Sequence, residues 1–235
     1  MSVNKKMNTA ISTKAAISNK AYSEANRDAV YRVIAERRDM RHFSQEPLDP
    51  EILQRLFKVA HQAPSVGLMQ PWRFLRITDS SLREEICELV EAERQETADA
   101  LGQRRDEFLK LKVEGIRGCA EVVIAALPDG REKHVFGRRT LPEMDLASLA
   151  CAIQNMWLAA RAEGIGLGWV SLFDPDMLAE LLKMPVDSKP VAILCIGHVD
   201  KFYEQPMLVE ERWTEAAPLD EFIFENYWPE TVNER

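Results

Sequence analysis

The sequence predicts a single mixed α/β domain, and three observations carry that expectation. Stretches with apolar residues recurring every three or four positions alternate with short, uninterrupted apolar runs of strand length, residues 122–127 and 190–197. A chain of 235 residues can bury a sizeable core and, on length alone, favours one domain. No internal repeat or low-complexity block appears after the polar N-terminal stretch. We therefore expect a disordered tail over residues 1–22 and one domain over residues 23–235.

Composition narrows the function classes. No apolar run approaches the roughly 20 residues needed to span a bilayer, so the expectation is a soluble, cytoplasmic protein without a membrane partner. The net charge of −8 argues against general affinity for nucleic acid, and any anion site must be local. Cys87, Cys119, Cys151 and Cys195 lie far apart with no C-x-x-C pair, which suggests neither a zinc site nor a disulfide framework. His42, His61, His134 and His198 are equally scattered, so no metal is expected. The first residues lack the long apolar segment of a secretory signal and read as a flexible tail.

The elements follow in order. From Asn26, the spacing of Val30, Val33 and Ile34 predicts a helix that runs into the basic cluster Arg37, Arg38 and Arg41. Asp49-Pro50-Glu51 supplies an N-cap, a first-turn proline and an early acidic residue. The helix that follows carries Leu53, Leu56, Phe57 and Ala60 on one face and is stopped by Pro64. Residues 64–72 form a loop bracketed by Pro64 and Pro71, followed by a strand over 73–78. Asp79 or Ser80 caps a highly charged helical stretch from Leu82 to about residue 111, interrupted at Gly102, which is expected to be exposed and mobile.

Residues 122–127 have the continuous apolar character of a buried strand. Pro142 and Glu143 open a long helix in which Leu149, Ile153, Met156 and Ala160 recur at helical intervals, expected to be central and buried, with Gly164 as its stop. A glycine-rich extended segment, a helix over 177–182 introduced by Asp174-Pro175, and a second buried strand over 190–197 follow. The final stretch holds Trp213, Phe222, Phe224, Tyr227 and Trp228 without clear periodicity. Such a segment needs a surface to pack on, either a partner subunit or its own chain.

Three features could carry chemistry. The run from Gly164 to Gly168 superficially resembles a dinucleotide fingerprint, but it follows a helix and leads into an extended segment, so a close backbone approach is the better reading. Ser171 lacks the G-x-S-x-G setting of a nucleophile and, taken alone, is a strand-end hydroxyl. The Arg37–Arg41 cluster is either a solvated helix end or a phosphate site, since planar guanidinium groups bond phosphate bidentately.

The order of three segments is more specific than any one of them. Arg37-Arg38-Asp39-Met40-Arg41, then Ala63-Pro64-Ser65 with Gly67 and Gln70-Pro71-Trp72, then Gly164 to Gly168 resembles the nitroreductase superfamily. Asp39 and the run from Gly168 to Pro175 resemble a narrower branch, the 5,6-dimethylbenzimidazole synthases, as do residues 65–72, 111–117, 142–146 and 154–164. The resemblance spans residues 32–228.

The resemblance implies an α+β fold of three layers, α/β/α, with a central mixed, mainly antiparallel sheet and an extended C-terminal arm. It implies a homodimer with FMN at the subunit interface. Arg37, Arg38 and Arg41 would hold the phosphate, and Met40, Ser65, Gln70, Lys112 and Leu172 would complete the flavin site. Asp39 would accept a proton near the ribityl chain and Ser171 would face the flavin's reactive edge, while residues 96–112 would form a lid. The implied reaction takes reduced FMN as substrate and molecular oxygen as co-substrate, and yields 5,6-dimethylbenzimidazole, the lower ligand of cobalamin, and erythrose 4-phosphate. A separate flavin reductase would supply the reduced FMN. Two other functions compete with it: an NAD(P)H-dependent FMN nitroreductase or quinone reductase, and a non-enzymatic flavin-binding protein. Asp39 and Ser171 together favour the flavin-fragmenting reaction over both, and no separate nicotinamide motif is found.

Overall fold

In the computed structural model, which describes residues 19–229, local sequence chemistry sets the element boundaries. Most of the tail expected at 1–22 lies outside the described residues. Ser23 caps helix α1 (Glu24–Glu36) by accepting from the Asn26 amide. Asp49 caps α2 (Pro50–His61) through the Glu51 amide, with Pro50 in the first turn where its missing N–H costs nothing. A short 3-10 turn at Val66–Leu68 precedes strand β1 (Arg73–Ile77). Asp79 caps α3 (Ser80–Ala100), and the expected interruption falls at Gly102, whose φ of +57° suits glycine. Then come α4 (Arg105–Phe108), β2 (Glu121–Leu127), α5 (Met144–Ala162), β3 (Gly166–Val170), α6 (Pro175–Leu181), β4 (Lys189–Gly197) and α7 (Met207–Glu210).

The strands form one sheet in the order β1-β2-β4-β3, and all three ladders are antiparallel. Its mixed character rests on a single parallel bridge, Asp39 to Leu167, at the β3 edge. Alternation along the central strands feeds two cores. Val123, Ala125, Leu194 and Ile196 face α2 and α5, while Val122, Ile124, Ile193 and Cys195 face α3 and α6. Both faces are covered, which explains why these strands read as continuous apolar runs. The result is the expected three-layer arrangement. On α5, Leu149, Ala152, Ile153, Met156 and Ala160 are fully buried, each large side chain contributing roughly 1.5–3 kcal/mol of burial free energy. Pro190, unusual within a strand, pairs with Ala126 next to a register shift, where the ladder is already broken.

The structure corrects one expectation. The charged stretch after Ser80 is not uniformly exposed: Ala98, Phe108 and Leu111 are buried and form a third cluster with Leu101, Leu172 and Trp213. The first part of the stretch packs Ile86, Cys87 and Val90 on the sheet, while Ala98, Phe108 and Leu111 near its end gather with Trp213 of the C-terminal segment. Among the described residues, no helix is long and apolar enough to cross a membrane.

Candidate active site

The glycines of β3 create the site by what they lack. A Cβ on Gly168 would stand 2.2 Å from the Met40 carbonyl oxygen and 2.7 Å from Arg41 Nη1, and one on Gly166 would stand 2.5 Å from Val199 and 3.3 Å from the Met40 side chain. Without them, residues 39–41 lie directly against the strand, and the Met40 amide donates to the Leu167 carbonyl at 3.1 Å. Met40 itself is buried and anchors the segment from beneath.

This contact aims the Asp39 carboxylate. Oδ1 accepts from the Trp169 amide at 2.9 Å, and the two oxygens accept from Arg41 Nη1 and Nη2 at 2.6 Å each. Arg41 Nη2 also donates to the Trp169 carbonyl at 2.8 Å. Arg41 is thus a buried brace whose planar fork fixes the acid's orientation. Burial raises the Asp39 pKa above the ordinary carboxylate value, against the lowering influence of Arg41 and the Trp169 amide. The carboxylate lies deep in a concavity that surrounds it with protein, yet its side chain stays 41% accessible from the opening.

The three arginines therefore have different jobs. Arg38 donates to the carbonyls of Ala35, Arg37 and Glu204 at 2.7–2.8 Å, and its own carbonyl accepts from the Trp157 indole at 3.0 Å. The Arg37 guanidinium lies over the Trp157 ring, 4.5 Å from its centroid, and makes no hydrogen bond or ion pair among the described residues. Arg37 is the guanidinium with its donors free for an anion. The Nε atoms of Arg38 and Arg41 are buried without a partner.

A cavity of about 540 Å³ opens over this segment. It is lined by Arg37, Arg38, Asp39, Arg41, Ser171 and Leu172, which the fold thereby brings together from the sequence-derived set. Ser171 follows the last residue of β3 and is exposed to the cavity, with no hydrogen bond within the described residues. The other expected residues lie elsewhere. Ser65 Oγ accepts from the Gln70 amide at 3.0 Å, stapling their own loop outside the cavity, and Lys112 forms an ion pair with Glu114 at 2.9 Å.

Sequence reasoning missed much of the cavity wall. Phe108, Leu111 and Val113 come from the end of the charged stretch, and Met207, Leu208, Val209 and Trp213 from the C-terminal segment. Arg104 clasps the two together: it lies 3.5 Å over the Trp213 ring and donates to the Trp213 carbonyl at 3.0 Å. The lid expected over residues 96–112 contains Phe108 and Leu111, and for the C-terminal part the lone Trp213 in an aperiodic stretch was the local signal.

Residues 34–198 match the model of the nitroreductase family. A 5,6-dimethylbenzimidazole synthase from Rhodobacter capsulatus is 36% identical over 201 residues, 85% of this chain and 97% of that protein. One from Rhodospirillum rubrum is 37% identical over 194 residues, 82% of this chain and 92% of that protein. Solved structures share the fold at lower identity. The NADPH:FMN oxidoreductase of Vibrio harveyi superposes with a TM-score of 0.65 at 19% identity, covering 86% of this chain and 79% of that one. An iodotyrosine deiodinase bound to FMN and 3-iodo-L-tyrosine superposes with a TM-score of 0.66 at 19% identity, covering 85% of this chain and 100% of that one. The chain is an enzyme that belongs to the nitroreductase family and, within it, to the 5,6-dimethylbenzimidazole synthase group.

Proposed function

We propose that the protein binds reduced FMN and, with molecular oxygen, fragments it to 5,6-dimethylbenzimidazole and D-erythrose 4-phosphate, supplying the lower ligand of cobalamin. The observation that carries this reading is the meeting of Asp39 and Ser171 in one cavity beside a guanidinium with free donors. The cavity volume falls in the roughly 300–1,000 Å³ range of small-molecule sites. Its composition fits a flavin phosphate ester: Arg37 for the phosphate, and Phe108, Leu111, Val113 and Leu208 as an apolar wall for the ring.

Reduced flavin supplies the electrons that oxygen takes up, and its ring and ribityl chain supply the carbons of the product. The protein's part is positioning and proton handling. The Arg41 fork aims the Asp39 carboxylate and favours its ionised form against burial, so that it can accept a proton near the ribityl chain. The Ser171 hydroxyl, without an intramolecular partner, is available to orient oxygen-derived groups at the reactive edge. Phe108 and Trp213 cover the site and limit water.

The working form in this reading is a cytoplasmic homodimer. Ser65 and Gln70 lie outside this chain's own cavity, and a second copy would bring its Pro-Ser loop to the flavin. With no nicotinamide motif in the chain, a separate flavin reductase would deliver the reduced FMN.

The test supplies chemically reduced FMN and oxygen without nicotinamide and follows the products. Stoichiometric flavin loss with appearance of the benzimidazole supports the proposal; clean return of oxidised FMN overturns it and favours a conventional FMN oxidoreductase. Asp39→Asn and Ser171→Gly should each lower product formation by at least about 100-fold while FMN binding persists.

A further inference from the structure

The Asp39 segment is held from one side by β3; on the other side it meets the chain after β4. Tyr203 Oη accepts from the Arg41 amide at 3.2 Å and lies 2.7 Å from His42 Nδ1. The two rings meet edge-on at 6.1 Å. One residue further, the Glu204 carbonyl accepts from Arg38 Nη2 at 2.7 Å. Two consecutive residues therefore tie down both ends of the stretch that carries Asp39. Tyr203 is half-buried and does not line the cavity, so it does not touch what the cavity holds.

We propose that Tyr203 is a positioning residue for Asp39: its hydroxyl fixes the Arg41 backbone and so sets the Arg41 fork that aims the carboxylate. The Tyr203 hydroxyl accepts from the Arg41 amide and shares a second hydrogen bond with His42 Nδ1, so that His42 restrains the rotation of the hydroxyl. The arrangement links the acid to residues 206–216, the cavity wall that begins immediately after Tyr203 and Glu204. The role of Asp39 rests on the proposed flavin fragmentation; the control of its geometry by Tyr203 does not.

The test is Tyr203→Phe, which removes one oxygen and keeps the ring. Its first readout needs no turnover: the titration of the Asp39 carboxyl, followed by carbon-13 NMR in the ligand-free protein. The charged and titratable groups around that carboxyl are Arg37, Arg38 and Arg41 on its own segment, Glu215 on the C-terminal wall, and Tyr203. Loosening the Arg41 fork weakens the influence that lowers the Asp39 pKa, so its titration should move to higher pH. The second readout is kinetic: kcat for flavin loss should fall roughly threefold to tenfold, as one hydrogen bond of this class supports, with KM for reduced FMN unchanged. His42→Asn keeps a hydrogen-bonding side chain for the hydroxyl and should restore most of what His42→Leu loses. An unmoved Asp39 titration in Tyr203→Phe overturns the inference whatever the products are. A moved titration in a protein that returns FMN intact supports the inference and overturns the fragmentation reading.

Discussion

Asp39 is an acid whose ionisation is contested, because burial disfavours its charge while Arg41 and the Trp169 amide favour it. The sign of the pH dependence follows. A proton acceptor must be deprotonated, and the Asp39 pKa is raised, so activity should be lost as pH falls through a value above the ordinary carboxylate range. Arg41→Lys replaces the fork with a point charge and should carry that acidic limb higher still, as measured by single-turnover flavin loss against pH. A limb at the usual carboxylate pH in both proteins would contradict this account. Gly168 offers a structural counterpart. Alanine there drives a methyl group into the Met40 carbonyl, which is backbone and cannot swing aside; we expect a loss of about 2 kcal/mol or more in urea unfolding, with the Asp39 segment displaced. At this scale the sequence was partly legible. The order of Arg37, Asp39, Ser65 and Ser171 pointed to a flavin site, but which arginine turns inward depends on how the segment seats against β3, and nothing local encodes that.

Among the elements, caps and breakers were the readable part. Asp49, Asp79 and Asp174 each accept from backbone amides at the helix starts that their sequences announced. The loop between β2 and α5 shows what was not readable. Asp145, with 7% of its side chain accessible, receives Arg131 at 3.0 Å and Arg138 at 2.8 Å, and both arginines also bond loop carbonyls. Removing the acid strands two cations that the fold has largely withdrawn from water. Asp145→Ala should therefore destabilise the protein by about 3–5 kcal/mol in chemical denaturation, and the loop carrying Val135 and Phe136 should become the first segment to exchange its amides. An effect under 1 kcal/mol would show that the loop stands without the triad. The charged stretch after β1 was legible as helix and, by resemblance, as a cover over the site, but not which side chains face the cavity, since Phe108 meets Trp213 through a contact spanning more than a hundred residues.

On the scale of the whole molecule, the apolar surface left uncovered is concentrated. Leu219, Phe222, Ile223, Phe224, Tyr227 and Trp228 are all exposed, and the Phe224 ring lies tilted against Trp228. Monomers rarely leave so contiguous an aromatic segment in water. The sequence left two choices for this stretch, and the chain divides them: Trp213 packs on its own domain, while the large apolar side chains between 219 and 228 stay exposed. A protein ending at residue 217 keeps the cavity wall and loses the arm; if the arm joins two copies, sedimentation velocity should show a dimer become a monomer. A truncated protein that remains dimeric would assign the contact to other exposed apolar groups, such as Val30, Tyr31 and Ile34 of α1.

Trp169 and Trp213 both line the cavity, and the Trp157 ring lies tilted against Trp169 with centroids 6.3 Å apart. Three of the five indoles thus report optically on one small volume. Their emission should dim as a coloured aromatic guest enters, and separate single replacements of Trp169 and Trp213 would resolve which wall it approaches first. The enzyme carries its own fluorescent gauge of occupancy, readable before any chemistry begins.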